Sequence, residues 1–178
     1  ELLLNGGFSP LEGFMTRADY ERCVREMRLA DGTLWPMPIT LDIPRELAEQ
    51  LAPGDGLALR GPEGQLVATL DVAELWEPDR QWEAEAVFGT GDHAHPGAHH
   101  VLSWAQPVYV GGRLNGVAPP VHHDFPAYRH SPRALREHLD ELGWQRVVAF
   151  QTRNPMHRAH VEMTRQAAEQ TGAGLLLH

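Results

Sequence analysis

The chain contains no lysine; all 15 of its basic residues are arginine. Lysine Schiff bases, lysine general bases and the phosphate-binding lysine of a Walker-type loop are therefore excluded within these residues. Cysteine is almost absent too, with Cys23 alone. No disulfide can close inside the chain, and no zinc site can be built on two or four thiolates. A lone cysteine sets a reducing, cytoplasmic compartment as the expectation. Apolar runs such as Val147–Phe150 fall far short of the ~20 residues of a membrane-spanning helix. No signal-peptide pattern is present, so no membrane partner is expected. Basic charge is scarce against acidic, 15 residues to 24 for a net of −9. That balance argues against a nucleic-acid partner held by bulk electrostatics.

What is present is ordinary globular material. At ~150 residues per domain, 178 residues make one domain or two small ones. Hydrophobic residues at 42% and charged residues at 22% are enough to build a core. The sequence opens on Glu1 rather than Met and reaches its end in Leu175-Leu176-Leu177-His178, which reads as a fragment cut at both ends. Charge divides the chain unevenly. Residues 1–130 hold 9 Arg against 19 acids, whereas residues 131–178 hold 6 against 5. Two domains with that boundary are expected, joined by a looser stretch over 116–130 with Pro119, Pro120 and Pro126.

The first domain reads as strand-rich. Thr16, three residues before Asp19, predicts the cap of a helix running to about Arg28. Tyr20, Cys23, Val24 and Met27 follow the spacing of one buried helical face. Residues 39–43 predict a short strand stopped by Pro44. Residues 57–60 and 65–76, separated by Gly61-Pro62-Glu63-Gly64, predict a hairpin. Residues 108–110 predict a further strand ending at Gly111-Gly112. Short strands punctuated by Gly and Pro suggest a small barrel or open sheet.

The second domain reads as a helix, a strand, a helix and a strand. Ser131 as cap and Pro132 at the first helical position predict a helix to about Leu142, closed by Gly143. Residues 146–150 predict a strand and 151–156 a polar loop. A helix is expected from about His157 to Thr171, and a strand over 175–177. A strand–helix–strand unit implies a parallel pair.

In a parallel sheet, ligands gather where a strand's carboxyl end enters the next helix. Here that position is the loop Gln151-Thr152-Arg153-Asn154-Pro155-Met156-His157-Arg158-Ala159-His160. Between Leu142 and Val161 there are three Arg, two His and no acid, inside a chain that is acidic overall. A helix N-terminus presents unpaired N–H groups and a partial positive charge. Arg153 adds a planar fork suited to a tetrahedral oxyanion, and Gln151 and Asn154 add amide donors. His157 and His160, three apart, share one face of the first turn. Singly, each has a plainer reading: Asn154 as a helix cap, Arg153 as a solvated side chain, the histidines as surface residues. Together they describe a pocket for a polyanion.

Other groupings carry less. His93, His95, His99 and His100 with Asp92 invite a metal-site reading, but Pro96-Gly97 is expected to break the helix that would align them, so no metal site is assigned. His122-His123-Asp124 is weaker still. The tryptophans Trp35, Trp76, Trp82, Trp104 and Trp144 read as core or interface anchors.

Residues 151–160 resemble the Q-T-R-N-P-x-H-x-x-H signature of the ATP sulfurylase (sulfate adenylyltransferase) family. Leu3-Leu4-Asn5-Gly6-Gly7-Phe8-Ser9-Pro10-Leu11-Glu12-Gly13-Phe14 looks like that family's amino-terminal segment. Pro38-Ile39-Thr40-Leu41-Asp42 and Gly89-Thr90, with Asp92 and His95-Pro96-Gly97, resemble family stretches in the expected order. The resemblance implies an α/β protein, with an amino-terminal PUA-like mixed β-barrel followed by the start of a Rossmann-like nucleotidylyltransferase domain. It implies the reaction of ATP and sulfate to adenosine 5′-phosphosulfate and pyrophosphate, by direct attack of sulfate on the α-phosphate. Carried over by position, Gln151 and Arg153 would hold sulfate, and Gln151, Thr152, Arg153 and Asn154 would line the ATP site. His157 and His160 would stabilise the transition state, so Thr152, Arg153, Asn154, His157 and His160 form the expected catalytic set. Mg²⁺ is expected with the nucleotide, with no organic cofactor, and a homo-oligomer is expected. Related transferases show glycine where this chain has Ala159, which is expected to crowd the nucleotide slightly. A further ATP-binding segment is expected beyond residue 178, so the 178 residues alone are expected to have little activity. PUA-like barrels can also bind RNA, but the acidic charge of residues 1–130 speaks against that reading.

Overall fold

A computed structural model describes residues 1–118 and 120–178; Pro119, in the proline-rich stretch, lies outside them. The chain forms two compact units, Glu1–Pro126 and Ala127–His178.

The first unit is a sheet flanked by short helices. β1 (Gly13–Phe14) leads into α1 (Arg17–Glu26), and Thr16 caps that helix by accepting the Asp19 N–H. Tyr20, Cys23 and Val24 are buried as their spacing predicts. Met27 is not. It takes a left-handed conformation (φ 52°), ends the helix and stays 56% exposed. The apolar stripe continues one position further than the helix that carries it.

β2 (Asp42–Ile43) is shorter than predicted, and Pro44 does more than stop it. Lacking an N–H to lose, it stands at the head of α2 (Arg45–Ala48). β3 (Gly56–Arg60) and β4 (Leu66–Trp76) form the predicted antiparallel hairpin. α3 (Arg80–Phe88) is capped by Asp79, whose carboxylate accepts the Trp82 N–H. α4 (Pro96–His99) corrects the reading of Pro96-Gly97 as a breaker: proline fits the first turn, and the pair opens a helix. A π-helical turn follows over His100–Trp104.

β5 (Val108–Gly116) is the centre of the sheet. It pairs antiparallel with β4 along its length and with β1 and β2 on its other side. The path β1-β5-β4-β3, with β2 also on β5, leaves the sheet open where a barrel was expected. β5 runs straight through Gly111-Gly112, where the sequence predicts its end. A Cβ on Gly111 would meet the Met15 carbonyl oxygen, and one on Gly112 the Asp71 carbonyl oxygen. These glycines are there for close backbone approach, beside a bulge in β4 between Val72 and Glu74. Gly111→Ala is expected to cost about 1–3 kcal/mol by forcing those backbones apart. A denaturant midpoint unchanged from the parent chain would contradict this.

Leu70 and Val110, fully buried, centre one part of the core. Tyr20, Trp76 and Tyr109 form the other, with ring centroids 5.5–5.8 Å apart. Into that aromatic cluster α3 inserts Glu83, only 5% exposed. The Tyr20 and Tyr109 hydroxyls each donate to its carboxylate at 3.0 Å. Arg80 lies 3.8 Å from the same carboxylate, donates to the Tyr109 oxygen and stacks 4.1 Å over the Tyr109 ring. Arg80 also donates to the Gln106 carbonyl oxygen, and the Gln106 backbone N–H donates to the Asp42 carboxylate.

In the second unit, α5 (Pro132–Glu141) starts as predicted, with Ser131 accepting the Ala134 N–H at 3.2 Å. Gly143 follows its end, donating to Asp140 O. β6 (Val147–Phe150) and β7 (Gly174–Leu177) pair in parallel, joined by α6 (Arg158–Thr171). The strand–helix–strand unit read from the sequence is therefore present, with the start of each strand shifted by one residue and both ends as predicted.

Candidate functional site

The loop 151–156 and the first turn of α6 begin at the carboxyl end of β6. The parallel pairing extends one step past both strands: His178 N–H donates to Phe150 O at 3.0 Å, and Thr152 N–H donates to His178 O at 2.8 Å. These two bonds fix where the loop leaves the sheet. Its next turn is closed by Thr152, whose hydroxyl donates to Asn154 O at 3.0 Å and accepts the Asn154 N–H at 3.2 Å. Such a local side-chain turn replaces a backbone one. The Thr152 hydroxyl is thus engaged in shaping the loop.

Asn154 does not cap the helix, since α6 begins at Arg158 with His157 in the cap position. Its side-chain amide has no partner among the described residues, and neither has that of Gln151. Gln151, Arg153, Asn154 and His157 are all exposed. Arg153 and Arg158 have no ion-pair partner among the described residues, whereas Arg165, two turns on, is engaged by Glu162 at 2.6 Å and by Glu169. Two uncommitted guanidinium groups therefore flank the positive end of a 14-residue helix.

The two histidines are brought together. Their ring centroids lie 5.5 Å apart, and the His160 ring lies 5.6 Å from that of Phe150. The His157 N–H donates to His160 Nδ1 at 3.4 Å. The reciprocal contact, from the His160 N–H to the His157 ring, completes a capping box. Beneath the turn, Thr164 is 3% exposed and its hydroxyl donates to His160 O at 2.8 Å. Phe150 is a contact the sequence reading did not single out. Its place as the last residue of the strand feeding the loop was the available signal.

The arrangement is an open anion site: unpaired helix N–H groups, two free guanidinium groups, two amides and a paired set of imidazoles, with no carboxylate in the loop. It lacks Ser, Cys and Lys, and its donors and positive charge suit it to bind, orient and neutralise negative charge.

The histidines of the first unit sit differently. His95 caps α4 through Nδ1, which accepts the Ala98 N–H at 3.3 Å. His93 Nδ1 lies 3.0 Å from the Ser103 hydroxyl, and the His99 ring packs against His93 and Trp104. Among the described residues no group of three or more His, Cys, Asp or Glu is placed to hold a metal ion. Of the tryptophans, Trp76 is buried, while Trp104 is 68% exposed and so does not anchor the core. No helix of the described residues is long and apolar enough to cross a membrane.

Comparison with known proteins bears on both units. Residues 1–119 match the family model described as a PUA-like domain, and residues 126–178 match the ATP-sulfurylase model. The sulfate adenylyltransferase of Schizosaccharomyces pombe is 51% identical over all of this chain, which spans 37% of that protein's length. That of Mycosarcoma maydis is 47% identical, with 32% of its length spanned. A solved structure described as a hexameric APS kinase from Thiobacillus denitrificans is 35% identical with a TM-score of 0.77; this chain is covered completely and spans 31% of it.

Proposed function

The chain belongs to the PUA-like domain family over residues 1–119 and to the ATP-sulfurylase family over residues 126–178, and from that premise we propose that it is part of a sulfate adenylyltransferase whose reacting groups are held at the loop 151–160. The protein takes ATP and sulfate to adenosine 5′-phosphosulfate and pyrophosphate. A sulfate oxygen bonds to the α-phosphorus, the bond from that phosphorus to the bridging oxygen breaks, and the electron pair leaves with pyrophosphate. The observation that carries the reading is the acid-free loop, with unpaired Arg153 at the positive end of α6 and His157 and His160 paired in its first turn.

The physical difficulty of this reaction is charge. A weakly nucleophilic dianion must approach a phosphate already surrounded by negative oxygens. Positioning and neutralisation are the effective tools, and no protein nucleophile is required. Arg153 and Gln151 hold sulfate, the arginine through its fork. Gln151, Thr152, Arg153 and Asn154 line the ATP site, Thr152 chiefly by holding the turn. His157 and His160 donate to phosphate oxygens as charge develops on them.

The chemistry of the loop does not suit a protein-held metal, because it offers no carboxylate. Mg²⁺ therefore enters as the ATP complex, bound by phosphate oxygens and water, and no organic cofactor is invoked. A cytoplasmic homo-oligomer completes the reading. The test is sulfate-dependent release of pyrophosphate from ATP by the intact protein that carries these residues. Release that is independent of sulfate, or none from folded protein, would refute it.

A further inference from the structure

His160 Nδ1 accepts the His157 backbone N–H. A ring nitrogen that accepts a hydrogen bond carries no proton, and in a neutral imidazole the proton then sits on the other nitrogen. We propose that this capping contact fixes His160 as its Nε2–H tautomer, so that in the reaction proposed above His160 acts through Nε2 alone, as a neutral N–H donor to a phosphate oxygen.

The surroundings favour a held ring. Phe150 packs on it at 5.6 Å with the planes 41° apart, and His157 lies 5.5 Å away. The ring is held between these neighbours, and the turn itself is pinned by the Thr164 hydroxyl on His160 O. The backbone N–H of His157 thus sets the tautomer of His160.

A direct consequence concerns substitution. Glutamine at the third position of a helix is the ordinary partner in a capping box, its amide oxygen accepting the cap N–H. The same side chain then points its NH₂ where imidazole Nε2–H would be. Asparagine is too short to do both. Alanine does neither.

The inference rests on the proposed function for its role but not for its structural content, and two measurements separate them. Two-bond ¹⁵N correlation spectra of the intact protein, taken where His160 is neutral, read the tautomer directly. The expected pattern is a protonated Nε2 and an unprotonated Nδ1. A protonated Nδ1, or an even mixture, would overturn the assignment. Turnover of the variants reads the role: His160→Gln is expected within about tenfold of the parent, and His160→Asn and His160→Ala lower by about a hundredfold. Glutamine no better than alanine, or asparagine better than glutamine, would overturn donation through Nε2. A parent protein with the expected spectrum but no sulfate-dependent turnover overturns the proposed function and leaves the tautomer standing.

Discussion

Replacing Arg153 by alanine in the intact protein is expected to lower turnover by roughly 10²–10³-fold, the scale of one lost transition-state donor. The expectation follows from what surrounds the residue. Arg153 is exposed and has no ion-pair partner among the described residues, so no fold-stabilising contact is lost with it. Its guanidinium is the planar fork of a loop that contains no acid, at the positive end of α6. The loop keeps its shape without it, because the turn is closed by Thr152 and the exit from β6 by His178. The variant should therefore fold as the parent does and fail in chemistry. Arg153→Lys retains charge but not the bidentate geometry, and is expected to recover only part of the loss. Turnover of Arg153→Ala within a few-fold of the parent would remove the residue from the site.

The largest expected effect on stability lies in the other unit, at Glu83. Burial pushes its carboxyl above the ordinary value of 4.5, opposed by the hydrogen bonds from Tyr20 and Tyr109 and by the charge of Arg80, with Asp42 adding to the rise. The two phenols are themselves pushed up by burial first and by Glu83 next. Glu83→Leu removes the acceptor of both hydroxyls and the counter-charge of Arg80, all inside the aromatic cluster. A loss of about 3–5 kcal/mol is expected, because the cost falls on groups left buried and unpaired. Equilibrium unfolding in urea reads it, and a loss under about 1 kcal/mol would contradict the account.

The pH dependence has a definite sign. With its value raised on folding, Glu83 binds its proton more tightly in the native state than in the unfolded chain. Its contribution is fully present below the unfolded value and is lost as pH rises through the native one. The stability advantage of the parent over Glu83→Gln should therefore shrink as pH rises above 4.5. An advantage that grows over that range would mean the carboxylate is stabilised, not penalised, by its site.

The second unit was the more legible in the sequence, for physical reasons visible residue by residue. Ser131 with Pro132, and the apolar run Val147–Phe150 before a polar loop, each specify an element through local chemistry. The first unit depends more on distant contacts. Met27 continues an apolar stripe, yet the helix ends there because the chain turns left-handed to leave α1. Gly111-Gly112 looks like a terminator until the Met15 and Asp71 backbones are seen against it. Glu83 has no local signal at all. Only the arrival of Tyr20 from α1 and Tyr109 from β5 explains a carboxylate in the core.

The candidate site divides in the same way. Its residue types and its place at a strand end were readable, but three features were not. These are the Thr152 turn, the packing of Phe150 on His160 and the His157 N–H on His160 Nδ1. Each depends on backbone geometry, and each changes what a named side chain is free to do.

The central claim is that the loop after Phe150 is where sulfate and the α-phosphate meet. The reaction run backwards tests it most directly: ATP formation from adenosine 5′-phosphosulfate and pyrophosphate, read by luminescence on the intact protein, with Arg153→Ala beside it. The account predicts ATP formation by the parent, with a rate lower by roughly 10²–10³-fold in the variant. Equal rates in the two proteins would move the chemistry elsewhere, and no ATP from folded parent would leave the loop as an anion-binding site without the reaction.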